Sequence, residues 1–448
     1  MPVKALHPEV CFVSISLSGS LADALLQTRP RDEHRQRARE GVIDYVACLL
    51  PIQLGLLHDS GLAPVRQAFP AGTGADNQAL QLGYMSHALD FDDYHATFRG
   101  HPSTVVLSTL LALSQSLDTL SHDAFLDAYV IGVELSGRLG KAIGTRHYAA
   151  GLHSTATLGV IAATGAACRL LRLDQSQTQI ALGLAATQAA GLRAQFGSAG
   201  KALHAGFAAR QAVNAVQLAQ AGFAAQADGV LEAFLDILGL GQARPDDLLA
   251  DWGAPWRISA PGLEFKRYPT CGGTHSAIEA AFALREREGF SLAQVQSIEV
   301  SFPPGADTAP SIRTPQTGVQ GRFSLEYVIA DALLNGAIAL ERYGEDPVRP
   351  DIAALAAKVQ RMPDLTAPPD ELDPDLRFHR VTLYLADGCS LSQCVTRQQT
   401  AAAPTDVLAK LRDNLQAWPV ERLDALCADL HLTDDAALHR LVALVRCH

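Results

Sequence analysis

The chain has 448 residues, with 36 lysines and arginines against 47 aspartates and glutamates, and a formal net charge of −11. That length exceeds one ordinary hydrophobic core, so about two or three structural units are expected. The acidic balance and the lack of any Lys/Arg-rich run exclude a broad nucleic-acid-binding face; an anionic ligand must meet a local cluster of positive groups in an otherwise repelling surface.

Val10 to Leu26 is mildly apolar but is interrupted by serines and a glycine and preceded only by Lys4, a poor match to a secretory leader. From about residue 20 to residue 260 the pattern reads as helix after helix. Gly41–Pro51 carries apolar residues at helical spacing and should stop at its proline. Asn77–Leu89 follows, then Phe125–Leu139, Thr157–Leu171, Ile180–Leu192 and Phe207–Ala221, the last ended by Gly222. The apolar run of residues 103–113 is too short to span a bilayer and predicts a buried core helix, so no membrane partner is expected. Small residues are frequent in these segments, which favours close helix packing.

The character changes near Pro261. Ser276 and Glu279 have the spacing of a capping box, and Gly289 suits the far end of that helix. Val295–Phe302 alternates with period two, as do Arg380–Leu385 and, after the turn Asp387-Gly388, Ser390–Thr396. With a helix at Leu325–Leu340 between them, this predicts an α+β unit on a small antiparallel sheet. A last helical stretch, Val407–Val445, follows the proline-containing residues 401–404. The expected division is a helical domain over 1–264, an α+β domain over 265–402, and C-terminal helices over 403–448 that pack back on the helical domain.

Eight cysteines are scattered from Cys11 to Cys447, and the one close pair, Cys389 and Cys394, lacks zinc or iron–sulfur spacing. This suits free thiols in a reducing cytosol.

Four segments carry residue types with chemistry. The first, ALDFDDYHATFRGHPS (residues 88–103), packs Asp90, Asp92, Asp93, His95 and His101 together. Three readings stand side by side: a solvated helix end, although acids there oppose the helix dipole; a metal site; or a histidine oriented by a carboxylate for acid–base work. The second, GLHSTATLG (151–159), sets His153 at the mouth of an apolar helix, where free N–H groups favour an anion. The third, FGSAGKALHAG (196–206), places Lys201 and His204 among glycines but lacks the spacing of a nucleotide-binding P-loop. The fourth, FKRYPTCGGTH (265–275), holds Lys266, Cys271 and His275 at the change of character, where a cleft between units would lie. Taken alone, Cys271 reads as a packing thiol.

Together the motifs ALDFDDYH with GHPS, GLHSTATLG, KALHAG, KRYPTC with THSAIEA, FSLEYVIADALLNG and VTLYLADG, in this order over roughly residues 40–390, resemble the MmgE/PrpD family. That family includes 2-methylcitrate dehydratase, cis-aconitate decarboxylase and iminodisuccinate epimerase. The resemblance implies a mainly α fold with a large all-helical domain and a smaller α+β lid domain, a homodimer, and an active site between the domains that works without metal or other cofactor. By motif, it carries catalytic roles onto Asp90, His101, His153, Lys201, Lys266 and Tyr327, with Tyr94, Arg193, Cys271 and His275 as substrate-binding residues. The implied chemistry is proton transfer next to a carboxylate of a small di- or tricarboxylate. The lysines, with Arg193, would neutralise charge, and His101, oriented by Asp90, would be acid or base. Loss of a β-hydroxyl makes the enzyme a dehydratase, the reading favoured here. Return of the proton to the other face makes it an epimerase. A non-catalytic helical binding protein would have no need of this constellation.

Two positions depart from the decarboxylase pattern: Tyr94 stands where the decarboxylases have threonine, and Cys271 where they have a histidine. The segment from Asp93 to Pro102 also differs from the longer, Trp-containing segment of the methylcitrate dehydratases.

Overall fold

The computed structural model describes residues 16–72 and 74–447. Cys11 and the first part of the Val10 to Leu26 stretch lie outside these residues. The remainder of that stretch is the helix Leu17–Gln27, capped by the Ser16 hydroxyl, which accepts from the Gly19 N–H.

The chain is mainly helical and builds two cores. One gathers apolar side chains from Leu21 to Leu263 and, after a long excursion, from Val407 to Cys447. The other is drawn from Ala277 to Leu385. The apolar helix Pro102–Ser114 is buried along its whole length, as its composition predicts. Residues Ser154–Leu171 are long and apolar enough to cross a membrane by composition, and 89% of that stretch is buried among the other helices.

Glycines set the closest approach in the helical part. A Cβ on Gly83 would fall 2.9 Å from the Gly206 Cα, and one on Gly206 would fall 2.5 Å from the Leu80 carbonyl oxygen. The helices Ala75–His87 and Ala199–Gln220 therefore meet backbone to backbone in an antiparallel crossing. The crossing brings the last turn of one, with His87, against the first turn of the other, with Lys201.

In the second core, β1 (Val295–Phe302), β2 (Val359–Pro363), β3 (Phe378–Leu385) and β4 (Ser390–Thr396) form a sheet in the order β2-β1-β3-β4. Ile298 pairs with Leu383 and Val300 with Val381 across the antiparallel β1–β3 ladder, and all four side chains enter the core. The sheet is mixed, not purely antiparallel as expected. The short β2 pairs parallel to β1, with Ile298 opposite Val359. Its sequence, VQRMP, ends in proline on the sheet edge, where a missing N–H does no harm.

Several boundaries also differ from expectation. The helix predicted from Gly41 starts at Asp32 and carries Pro51 in its last turn, ending at Gln53. The helix predicted from Phe207 starts at Ala199, so that Lys201 lies in its first turn, and it ends at Gln220. Ser276 does not cap its helix; Thr274 holds that position, while the Ser276 hydroxyl lies 2.6 Å from His379 Nδ1. The helix from Leu325 stops at Asn335 because Gly336 takes the left-handed conformation. The last stretch is three helices, Val407–Asn414, Val420–Asp429 and Asp435–Val445.

Candidate active site

A cavity of about 1330 Å³ opens between the two cores. Asp90, Tyr94, Arg99, His101, His153, Lys201, Lys266, Cys271 and His275 contribute to its wall.

Asp90 follows the end of the helix Ala75–His87 and has φ of 50°, a left-handed backbone that aspartate tolerates better than most residues. The turn sends its carboxylate inward. Oδ1 accepts from Lys201 Nζ at 2.9 Å and from Lys266 Nζ at 2.7 Å, and Lys266 also donates to the Asp90 backbone carbonyl at 2.7 Å. His101 Nε2 lies 3.6 Å from the same Oδ1. Burial alone would raise the Asp90 carboxyl, but the ammonium groups of Lys201 and Lys266, with His101 and His87, hold it well below the usual carboxylate range. Burial lowers the Lys201 ammonium, and Asp90 opposes that shift.

His101 occupies the N-cap of the helix Pro102–Ser114, whose proline at the first position favours the helix start. Its backbone N–H donates to Thr155 Oγ1 at 3.1 Å. Its Nδ1 is 3.3 Å from Asp92 Oδ2, without the alignment of a hydrogen bond. Burial lowers the His101 imidazole, with Asp92 pulling the other way, so the ring is neutral near pH 7.

Behind these residues runs a relay. Lys201 Nζ lies 2.7 Å from His87 Nε2, and His87 Nδ1 lies 2.9 Å from Asp92. Burial pushes His87 down to about 3. The neutral ring therefore accepts from the ammonium on Nε2 and donates from Nδ1 to the carboxylate.

Four of the expected residues, Asp90, His101, Lys201 and Lys266, thus meet around one oxygen. His153 and His275 line the same cavity, each with an Nε2 that has no hydrogen-bond partner among the described residues. His153 Nδ1 is 3.2 Å from His204 Nδ1. Burial lowers His275 to about 3 and His153 well below its ordinary value. Tyr94 and Cys271 also line the cavity, and burial raises the Cys271 thiol.

Two expected residues lie elsewhere. Tyr327 is in the second core, where its hydroxyl donates to the Arg342 carbonyl at 2.7 Å and its ring meets Tyr343 edge-on at 5.4 Å. Its helical phase points it into packing and away from the cleft. Arg193 is not in the cavity wall; its guanidinium stacks on Tyr148, 4.3 Å from the ring centre, and donates to the Ala149 carbonyl at 3.2 Å.

Two members of the Asp–His cluster, Asp93 and His95, serve structure. Asp93 faces away and accepts from the Ser103 hydroxyl, and His95 Nε2 sits 3.0 Å from the Arg257 carbonyl. Conversely, sequence reasoning missed His87, Arg99 and Arg377. His87 sits inside a helical pattern and reads as a core position; its one signal is that it stands three residues before Asp90, on the turn leading to it.

His87, Asp90, Asp92 and His101 offer ligand atoms within 4.8 Å of one another, close enough for a metal ion. Two ammonium groups already bond Asp90 Oδ1, however, and one of them bonds His87 Nε2. A divalent ion in the same place would stand beside two positive charges and compete with both for their acceptors.

In comparisons with known proteins, the MmgE/PrpD N-terminal domain matches residues 19–236 and the MmgE/PrpD C-terminal domain residues 268–425. The cis-aconitate decarboxylase of Aspergillus terreus is 30% identical over 340 residues, 69% of this chain and 68% of that protein. The cis-aconitate decarboxylase of Mus musculus is 29% identical over 342 residues, 70% of this chain and 66% of that protein, and the Homo sapiens one is 27% identical with shares of 70% and 66%.

Proposed function

The chain belongs to the MmgE/PrpD family, and from that premise we propose that it is a lyase acting on a small polycarboxylate by proton transfer next to a carboxylate, without metal or organic cofactor. One observation carries the reading: a buried carboxylate, Asp90, holds two ammonium groups and a neutral imidazole at the wall of a cavity where buried polar atoms are left without partners. Those atoms are Asp90 Oδ2, His153 Nε2 and His275 Nε2, none with a hydrogen-bond partner among the described residues. Buried polar groups are normally satisfied, so unspent ones in a cavity wall suit a polar ligand.

The chemistry follows from the charges. A proton on carbon next to a carboxylate is weakly acidic, and its removal loads charge onto that carboxylate. Lys201 and Lys266, held in place by Asp90, neutralise that charge as it forms. Neutral His101 takes the proton, and Asp90 and Asp92 on either side stabilise the imidazolium. A positioned base of this kind contributes about 10²–10⁴-fold. The Lys201 ammonium, whose proton burial loosens, protonates the departing β-hydroxyl, which leaves as water as the carbon–carbon double bond forms, and the proton taken up by His101 makes good the one lost. The acting assembly in this reading is a cytoplasmic homodimer, which light scattering of the purified protein tests.

A second reading is favoured by the relatives, which are named cis-aconitate decarboxylases. There the bond to a carboxylate breaks, carbon dioxide leaves, and a proton is delivered to carbon. Cys271 weighs against it. A thiol raised by burial stays neutral and is a poor substitute for an imidazole that both donates and accepts. Tyr94, bulkier than threonine, also takes up space in the cavity wall near His101. Incubation of the protein with cis-aconitate separates the two readings. Itaconate formed at about 1 s⁻¹ or more, within the ordinary enzyme range, establishes decarboxylation; its absence, with hydration of cis-aconitate to a hydroxy-tricarboxylate, supports the dehydratase.

A further inference from the structure

We propose that Arg99, assisted by Nη1 of Arg377, forms a second anion subsite in this cavity and binds the substrate carboxylate remote from Asp90. The proposal rests on the polycarboxylate reading above and adds which residues read the far end of the molecule.

Three arginines bear on Tyr94, whose ring lies 6.0 Å from that of His101. Two are neutralised by the protein. Arg377 donates Nε and Nη2 to the two oxygens of Asp370, both at 2.6 Å. Arg397 pairs with Glu264 and, at 3.0 Å, with Asp375. Arg99 has no ion pair among the described residues, and its Nη2 is buried without a hydrogen-bond partner. All three arginines line the cavity. An arginine left without a counter-ion at the wall of a ligand-sized cavity is matched in charge and geometry to a carboxylate, which its planar fork binds through two parallel hydrogen bonds.

The backbone adds an independent observation. Arg99 has φ of 53°. Unlike aspartate or asparagine, arginine has no short polar side chain to offset the cost of the left-handed region, which is about 1–2 kcal/mol. Strain of this kind gathers at binding sites. Here the loop between the helices Ala75–His87 and Pro102–Ser114 carries two left-handed non-glycine residues, Asp90 and Arg99, and both reach the cavity.

The two poles are joined by open space. A Cβ on Gly273 would sit 3.6 Å from Cys271 Sγ and 3.7 Å from Arg377 Nη1. Gly273 thus forms part of the cavity wall next to both Cys271 and Arg377. A dicarboxylate fills one pole; a tricarboxylate spans both.

The test compares cis-aconitate with citraconate, in which a methyl group replaces the third, carboxymethyl arm. Affinities are measured by calorimetry on the unmodified protein and on Arg99→Gly, a variant suited to the left-handed backbone whose thermal unfolding midpoint should not fall. The unmodified protein should bind cis-aconitate at least tenfold more tightly than citraconate, and Arg99→Gly should bring that ratio close to one. A ratio retained in Arg99→Gly, or a ratio near one in the unmodified protein, overturns the subsite alone. If the unmodified protein binds neither ligand, the polycarboxylate reading fails and the subsite with it. If Arg99→Gly proves destabilised, the ratio is read on Arg99→Lys, which keeps the charge without the fork and should retain part of the selectivity; full selectivity there contradicts the proposal.

Discussion

Replacing Asp90 with asparagine removes one charge while keeping the side-chain size and a residue type that tolerates φ of 50°. In the native protein its Oδ1 accepts from Lys201 at 2.9 Å and Lys266 at 2.7 Å, and the three residues are only 3%, 5% and 4% exposed. Without the carboxylate, two buried ammonium groups face each other uncompensated. Removing one partner from a buried ion pair costs about 3–5 kcal/mol. Asp90→Asn should fall in that range. Urea unfolding of both proteins at pH 7 measures the difference. The pH dependence has a definite sign. The Asp90 carboxyl lies below its unfolded value, so its contribution is complete above about pH 4 and is lost as pH falls through the depressed folded value. The gap between the proteins should therefore be the same at pH 7 and pH 5. Turnover of Asp90→Asn should drop at least about 10³-fold, since both the lysine positions and the stabilisation of His101 depend on this group. A stability difference under about 1 kcal/mol, or activity near that of the unmodified protein, would refute the account of Asp90 as the anchor of the site.

Three other outcomes are expected. His87 and His275 sit at about 3 and His95 at about 4, all lowered first by burial. The unfolded chain takes up these protons near pH 6.5 and the folded one does not, so stability should decline as pH falls from 6.5 toward 4, by about 2 kcal/mol per histidine at pH 5; a flat denaturation profile over that range contradicts it. Tyr327→Phe should lower kcat less than about threefold and stability by about 1 kcal/mol, the net worth of its hydrogen bond to Arg342; a loss of 10²-fold or more would return this tyrosine to the chemistry. Prolonged chelation should leave turnover unchanged, because lysines already hold the acceptors a metal would need; restoration of a chelated sample by a single divalent ion would reverse that view.

Much of this was legible in the sequence, for identifiable reasons. Apolar periodicity gave the helical run and the wholly buried helix after His101, and period-two alternation gave β1, β3 and β4. The crowding of acids and histidines around Asp90 signalled a site because solvated helix ends seldom gather such charges. Other features depend on tertiary geometry. The convergence of His87 with Lys201 comes from the Gly83–Gly206 crossing, which joins helices more than a hundred residues apart. Tyr327 and Arg193 have suitable chemistry, and only helical phase and stacking reveal that they turn from the cavity. Arg99 and Arg377 carry no local pattern; their roles emerge only when carboxylate partners are assigned and Arg99 is left over. The strand β2 was hidden because five residues ending in proline make a weak strand signal.

The central claim is that Asp90, Lys201, Lys266 and His101 act together to move a proton next to a substrate carboxylate. The most direct measurement is incubation of the purified protein in deuterium oxide with a panel of small di- and tricarboxylates, read by proton NMR, alongside a His101→Asn variant. The account predicts that at least one tricarboxylate gains deuterium at a carbon adjacent to a carboxylate or yields a deuterated product, and that His101→Asn slows this by about 10²-fold or more. Exchange at the same rate in His101→Asn, or none with any member of the panel, would contradict it.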